Sequence, residues 1–389
     1  VTRYEDAPAV NKFIARLERR DIKTYKHFYT KGYPTDVDTI VSEEGYGANP
    51  YIEVTRPLAV ITGPGGGSGK LATCLSQLYH EYKRGVKARY AKFETFPIWN
   101  LPLKHPVNIA YEAATADLKD VNMLDSFHLE AYGTKAVNYN RDLEVFPVVK
   151  RIIEKITGTA EYQSPTDMGV NRVGFCISDD EVVKEAAVQE IIRRFIIAKC
   201  DYKKGKISEE ALERSELLMK EVNASEEDRR VVAPAREYAE LKRRCDEKYV
   251  NVVVMALEMP DGTMITGRSS RRMVAAAAAV LNAAKRFAGI DDEKYVISPN
   301  VFGDIQSLKG DILNHDRTSL NLEETLTALC ISAENNPCAK QTFDMLGRLK
   351  GCKAHCTAIL SDRDEQTLRS MGIDVTCDPE YITTNLYFA

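Results

Sequence analysis

The sequence has no apolar run long enough to span a bilayer and no basic, apolar leader at its start. A membrane-spanning helix needs about 20 consecutive apolar residues, and a secreted protein needs a leader. Lysine and arginine are spread along the chain and the net charge is −4, so the basic stripe typical of nucleic-acid-binding proteins is missing. We therefore expect a cytoplasmic protein that binds neither membranes nor nucleic acid.

The cysteines do not form a recognisable framework. There are nine, an odd number, scattered through 389 residues, which is typical of reduced thiols in a cytosol. Cys352, His355 and Cys356 form the one dense group. A structural zinc site requires four ligands, so we expect this group to be part of a β-strand and not a metal site.

The length exceeds that of one ordinary domain. Three segments are predicted: residues 1–50 as the end of a truncated N-terminal α/β unit, 51–248 as a phosphate-binding α/β domain with a helical hairpin, and 249–389 as a C-terminal α/β domain. The chain begins at Val1 inside a predicted strand, so we expect further residues to precede it. A homo-oligomer is expected.

A glycine-rich segment lies between a predicted strand and a predicted helix. Residues 58–62 form a short, continuous apolar run, which is typical of a strand covered on both faces. Residues 63–70 read GPGGGSGK, a helix is predicted from 71 to 84, and the next strand over 86–93. This order predicts a parallel strand pair with a right-handed crossover. The predicted fold is α/β, with a P-loop-like or Rossmann-like parallel sheet, a helical insertion, and a second, smaller α/β (α+β) domain.

Residues 63–70 have the residue types that bind phosphate. Five of the eight are glycine, which allows backbone N–H groups to approach an anion closely. The start of the following helix presents unpaired N–H groups and the positive end of the peptide dipoles. The predicted ligand contacts are Gly63, Gly65, Gly66, Gly67, Ser68, Gly69, Lys70, Leu71 and Thr73.

The segment departs from the standard P-loop spacing. Pro64 occupies the position of the first glycine, and Leu71 occupies the position of the hydroxyl residue that binds magnesium. Another group must then hold the metal, either a hydroxyl elsewhere or a carboxylate together with the phosphates. We expect ATP and magnesium as cofactors, and the candidates to hold the metal are Ser68, Thr73, Glu94, Asp117 and Asp125.

Catalytic roles follow from the same chemistry. Lys70 is predicted to neutralise charge on a transferred phosphoryl group, with Glu94 and Asp117 positioning magnesium. Arg141 is predicted as a second phosphate contact, because a guanidinium matches phosphate bidentately. The polar connection over 94–148 is expected to bind the acceptor, and His105 and His128 are its candidate bases. The alternative is a plain glycine-rich turn with a surface lysine.

The loop is similar to those of dethiobiotin synthetase and CTP synthase, which are ATP-dependent ligases. A longer resemblance joins this chain to an uncharacterised, mainly bacterial family catalogued as a domain of unknown function. That family has an additional N-terminal α/β segment, which this chain is expected to lack. The segments that resemble it are GKLATCLSQLYH (69–80), YAKFETFP (90–97), AATAD (113–117), AVNYNRD (136–142) and SPTDMGVN (164–171).

Three functions remain open on the sequence. The first is an ATP- or GTP-dependent phosphoryl-transfer enzyme, a kinase or a ligase. The second is a non-catalytic protein that binds a nucleotide or phosphosugar, which Leu71 favours. The third is an enzyme that processes phosphosugars or nucleotide sugars.

Overall fold

The structure, a computed structural model, describes residues 1–382 except 3, 66, 94–96 and 247–248. The chain divides into two compact units. The first comprises residues 1–111 and 120–180, and the second comprises 112–119 and the chain from 181 onward. Both contain helices and strands, which confirms the mixed α/β class. The predicted domain bounds at 50 and 248 stay predictions.

The first unit is mainly helical. Its one small sheet pairs two short strands in antiparallel register, with Met123 opposite Asn138. Helix α4 continues to Ala114 and so ends in residues of the second unit. The elements are α1 (Pro8–Glu18), α2 (Val37–Ile40), α3 (Lys70–Lys83), α4 (Pro106–Ala114), β1 (Asn122–Leu124), α5 (Ser126–Tyr132), β2 (Val137–Tyr139), α6 (Asn140–Thr157) and α7 (Pro165–Met168).

The parallel strand pair predicted around the glycine-rich loop is wrong for this structure. Residues 58–62 and 86–93 belong to no helix and to no sheet in the part of the chain described. Leu58 and Val60 are 76% and 75% exposed, so no neighbouring strand among the described residues covers them. A strand is stabilised by its partners, and an apolar run alone cannot supply them.

The helix after the loop forms as predicted. Its buried side, with Leu75 and Leu78, packs in one apolar cluster against Phe146 and Ile152 of α6. Burying side chains of this size is worth about 1.5–3 kcal/mol each. This packing fixes the direction of α3 and therefore the direction in which its first N–H groups point.

The second unit contains a four-stranded sheet. Its strand order is β4-β3-β5-β6, with β3 antiparallel to both neighbours and β5 parallel to β6. The sequence predicts a hairpin over 251–266, closed by the Asp-Gly turn at 261–262, and a strand, a helix and a strand over 354–360, 362–371 and 373–377. The structure confirms both. The elements are α8 (Asp180–Lys203), α9 (Glu209–Glu221), α10 (Val232–Cys245), β3 (Val254–Glu258), β4 (Met264–Arg268), α11 (Ala275–Phe287), α12 (Pro299–Ser307), α13 (Leu322–Ala333), α14 (Pro337–Asp344), β5 (Lys353–Cys356), α15 (Asp362–Ser370) and β6 (Asp374–Cys377).

Helices cover both faces of this sheet, α11 on one side and α10 on the other. The sequence of α11 is rich in alanine, whose small side chain permits close packing of the helix against the sheet. A β-carbon added to Gly267 of β4 would lie 2.1 Å from the backbone nitrogen of Ala279. The helix and strand are therefore in backbone contact, which larger residues at either position would prevent.

None of the described helices is long and apolar enough to cross a membrane.

Candidate functional site

The candidate site in the first unit lies at the start of α3. Gly69 precedes it with φ at +86°, a left-handed conformation that favours glycine. No side chain among the described residues caps the helix. Its first N–H groups therefore keep their capacity to bind an anion.

A cavity of about 550 Å³ opens at this helix start. This volume is within the usual range of small-molecule sites, about 300–1,000 Å³. The loop and helix form one wall, and the cavity extends to aromatic and aliphatic side chains that include Phe28, Tyr29 and Phe146. Of the predicted contacts, those that line it are Gly67, Ser68, Gly69, Lys70, Leu71, Thr73 and Arg141.

Two further cationic side chains line the same cavity. Lys92 contacts the hydroxyl of Tyr139 and the carboxylate of Asp142. Arg141 forms a two-pronged ion pair with Asp120, with Nε 2.6 Å from Oδ1 and Nη2 2.7 Å from Oδ2. Asp120 is 1% exposed, so this pair fixes the guanidinium in place. An arginine has five N–H donors, so donors remain beyond the two that face Asp120.

Lys70 folds back onto its own loop. Its ammonium donates to the carbonyl of Gly65 at 2.7 Å and to Ser68 Oγ at 3.2 Å. Ser68 Oγ donates to the same carbonyl at 2.8 Å. Thr73 Oγ1 donates to the carbonyl of Gly69 at 3.0 Å. The two hydroxyls suggested as metal ligands therefore already have partners within the loop and helix.

His27 is a cavity residue that the sequence reading missed. It lines the same cavity, is 6% exposed, and its Nε2 has no hydrogen-bond partner among the described residues. Burial lowers the pKa of His27, so the ring is neutral at pH 7. A neutral imidazole nitrogen can donate to or accept from a ligand. His27 lies far from the loop in the sequence, so no pattern in the sequence indicated that it would reach the cavity.

Some predicted site residues do not lie in this cavity. Gly63 and Gly65 belong to the loop but not to the described lining. Gly66 and Glu94 fall outside the described residues. Asp117 is exposed on a short 3-10 turn, Ala116–Leu118, of the second unit. The described residues hold no group of three potential metal ligands, so the magnesium roles of Glu94 and Asp117 stay predictions.

The two candidate bases have different surroundings. His105 is buried and its Nε2 lies 2.9 Å from Oδ1 of Asp180. His128 lies outside the α3 cavity, and its Nδ1 is 3.0 Å from Ser164 Oγ. The structure therefore brings neither histidine to the α3 cavity, where His27 lies instead.

We expect Gly69→Ala to destabilise the first unit by roughly 1–2 kcal/mol, the usual cost of a left-handed non-glycine residue. The new β-carbon would also lie 2.9 Å from the side chain of Thr2. Gly65→Ala is the matched control, because a β-carbon there meets nothing within 4 Å. Urea unfolding of both variants measures the difference. Equal stability of the two would show that Gly69 does not need its left-handed conformation.

Comparison with known proteins places the chain in a family. The family profile described as "Domain of unknown function DUF1846, N-terminal" matches residues 1–223, and the corresponding C-terminal profile matches 227–387. The chain is similar to a UPF0371 protein of Clostridium botulinum strain Loch Maree, 63% identical over all of this chain and 78% of the relative. A UPF0371 protein of strain Eklund 17B is 61% identical over the same shares. The resemblance noted in the sequence is thereby confirmed: the chain belongs to the DUF1846 (UPF0371) family.

Proposed function

We propose that this chain binds the phosphates of ATP or a related nucleotide in the α3 cavity and transfers a phosphoryl group, as a kinase or a ligase. The observation that supports the proposal is the meeting of an uncapped helix start with Lys70, Lys92 and Arg141 around one cavity. The P-loop-like character rests on the loop and helix alone, because residues 58–62 pair with no strand in the described chain.

The charges suit a phosphate chain. Backbone N–H groups at Lys70, Leu71 and Ala72 stand at the positive end of a 14-residue helix. Lys92 and Arg141 approach from other elements and are held by Asp142 and Asp120. Such charges, fixed before the ligand arrives, stabilise the charge that develops on a transferred phosphoryl group.

The aromatic part of the lining suits a nucleoside. Its described lining is rich in aromatic side chains, among them Phe28, Tyr29, Tyr33 and Tyr90. Rings of this kind offer apolar faces to a base and hydroxyls to a ribose. A ligand with a phosphate group and a planar base would therefore match the two kinds of lining residue.

Magnesium would be held chiefly by the phosphates. Asp142 is the carboxylate among the described lining residues. Magnesium keeps several waters and often uses only one or two carboxylates in addition to substrate phosphates. Asp142 is therefore our candidate metal contact, beside the sequence-based candidates Glu94 and Asp117.

A non-catalytic binder is the second candidate, and two observations favour it. Leu71 packs against the apolar cluster instead of offering a hydroxyl, and the Thr73 hydroxyl is engaged by its own helix. Magnesium-independent binding of ATP with no product formed would support this candidate over the enzyme.

Thermal unfolding with ATP, with and without magnesium, tests the proposal. At a hundred times the dissociation constant, ATP should add about 2.7 kcal/mol of stability. Arg141→Lys keeps a positive charge near Asp120 but loses the planar fork, so we expect its ATP affinity to fall about tenfold, or 1.4 kcal/mol. Arg151→Gln, an exposed change on α6, is the control. No stabilisation of the unaltered chain by any nucleotide would contradict the proposal.

A further inference from the structure

A second cavity, the Trp99 cavity, lies in the first unit and has a volume of about 490 Å³. The α3 cavity does not share its lining residues. Aromatic rings and ionisable side chains are mixed in its walls. The residues that carry the argument are Trp99, His128, Tyr132, Asp167 and Arg172.

The rings hold one another in place. Trp99 and His128 meet edge to face, with centroids 5.9 Å apart and planes at 82°. His128 and Tyr132 are closer, at 4.7 Å. Aromatic pairs in such arrangements are worth about 0.5–1.5 kcal/mol beyond their burial. They provide fixed apolar surfaces on one side of the cavity.

The polar groups are fixed as well. Asp167 Oδ2 accepts from the hydroxyl of Tyr132 at 2.9 Å and from the backbone N–H groups of Gln163 and Ser164. The bond from Ser164 is part of the capping box of α7, and the three bonds together hold the carboxylate at the cavity wall. Arg172 is exposed and supplies a guanidinium at the same wall.

One donor in the wall lacks a partner. The indole N–H of Trp99 is buried and has no hydrogen bond among the described residues. An unsatisfied buried donor costs about 1–3 kcal/mol. A ligand that carries hydrogen-bond acceptors could remove that cost after a small shift of the wall.

The two cavities lie on opposite sides of α7. Pro165 and Met168 of this helix line the α3 cavity, while Thr166 and Asp167 line the Trp99 cavity. The backbone N–H of Lys92 donates to the carbonyl of Met168 at 2.7 Å, and the Lys92 side chain lines the α3 cavity. α7 therefore lies between a group bound in the Trp99 cavity and the proposed phosphate site.

We propose that the Trp99 cavity binds a sugar. Sugar rings have apolar C–H faces that fit against aromatic rings, and hydroxyls that both donate and accept. The carboxylate of Asp167 can accept from those hydroxyls and the guanidinium of Arg172 can donate to them. The lining also includes the carboxylate of Glu161, and a purely apolar ligand would displace water from these charged groups without replacing its hydrogen bonds.

Sugar binding requires no nucleotide, so this proposal and the proposed function can fail separately.

Trp99 is the single tryptophan of the chain, so its fluorescence reports on this cavity directly. We expect free glucose, mannose or ribose to cause a saturable change in its emission. In Arg172→Gln the apparent affinity should fall about tenfold, as expected for the loss of hydrogen bonds to a charged group. Arg20→Gln, an exposed arginine at the end of α1, should bind sugar like the unaltered chain.

The outcomes separate the two proposals. No saturable response to any of the three sugars, or an equal response in Arg172→Gln and Arg20→Gln, overturns sugar binding even if ATP stabilises the protein. A response to adenosine in place of sugars overturns the chemical class.

Discussion

Lys70→Ala is expected to lower the rate of phosphoryl transfer at least about 100-fold, the usual loss when a fixed group that stabilises transition-state charge is removed. The chain should stay folded, because the side chain of Lys70 contacts only its own loop among the described residues, at Gly65 and Ser68. The steady-state rate of ADP release from ATP, with candidate acceptors added, measures the loss of transfer. Circular dichroism and the urea midpoint report on the fold.

Two variants sharpen this test. Lys87→Ala removes an exposed lysine of the same unit and should leave the rate unchanged. Lys70→Arg retains the charge but not the shape of the ammonium, so nucleotide binding should persist while transfer slows. Full activity in Lys70→Ala would contradict a phosphoryl-transfer role for this loop. Loss of binding together with loss of the loop's order would point to a structural role for the lysine.

The position of Lys70 in the structure indicates that two effects contribute to the loss of activity in Lys70→Ala. The ammonium now donates to the carbonyl of Gly65, so it holds the loop in shape before a ligand arrives. A phosphate oxygen would compete for the same proton donors and has the greater charge. We therefore expect Lys70→Ala to raise the KM for ATP as well as to lower kcat. The ratio kcat/KM should then fall by a larger factor than kcat does.

The sequence predicts local structure well where one segment carries its own signals. The glycines before α3, the apolar stripe of that helix, and the Asp-Gly turn between β3 and β4 each depend on nearby residues. All three are present in the structure. A glycine in the left-handed conformation at a helix start is dictated by backbone sterics within a few residues, which is information that a sequence displays directly.

Strand pairing over 58–62 and 86–93 could not be judged in this way. An apolar run shows that a strand would be stable if partners were present, but it does not identify the partners. The described chain offers none, and Val60 is 75% exposed. Register and pairing depend on the whole sheet, so a local pattern overestimates them.

The candidate site shows the same limit. The sequence identified Arg141 and the loop, and both line the α3 cavity. It did not reveal that Asp120 would hold Arg141, or that His27 would reach the cavity. Each of these contacts joins residues brought together only by folding, and no spacing in the sequence encodes them. The Trp99 cavity was missed for the same reason, although His128 within it was a candidate.

The largest expected effect on stability lies in the second unit, at Asp378. Its carboxylate pairs with Arg236, with Nη2 2.6 Å from Oδ1, and Nε2 of His355 is 3.2 Å from the same oxygen. Burial raises the pKa of Asp378, but hydrogen bonds and charges from His355 and Arg236 outweigh it and hold the pKa well below its usual value. Asp378 is therefore ionised at neutral pH.

Asp378→Asn removes that charge from a site where the side chain of Arg236 is 31% exposed and His355 is fully buried. Breaking a buried ion pair by removing one partner costs about 3–5 kcal/mol. We expect about 3 kcal/mol, the low end of that range, because the Asp378 side chain is still 14% exposed. The urea midpoint at pH 7 measures the loss. Asp344→Asn, in an exposed pair with Lys340, is the control and should change stability by less than about 1 kcal/mol.

The pH dependence of this stability difference shows whether the charge of Asp378 causes it. A carboxyl whose pKa is lowered by folding contributes stability above its unfolded pKa, about 3.9 for aspartate. That contribution is lost as the pH falls from there through the folded pKa. The difference between the unaltered chain and Asp378→Asn should thus be constant from pH 7 to about 5 and shrink below about pH 4. A difference that stays the same at pH 3.5 would mean that Asp378 stabilises the unit through hydrogen-bond geometry, because the asparagine would then be the poorer partner whether or not the aspartate is charged.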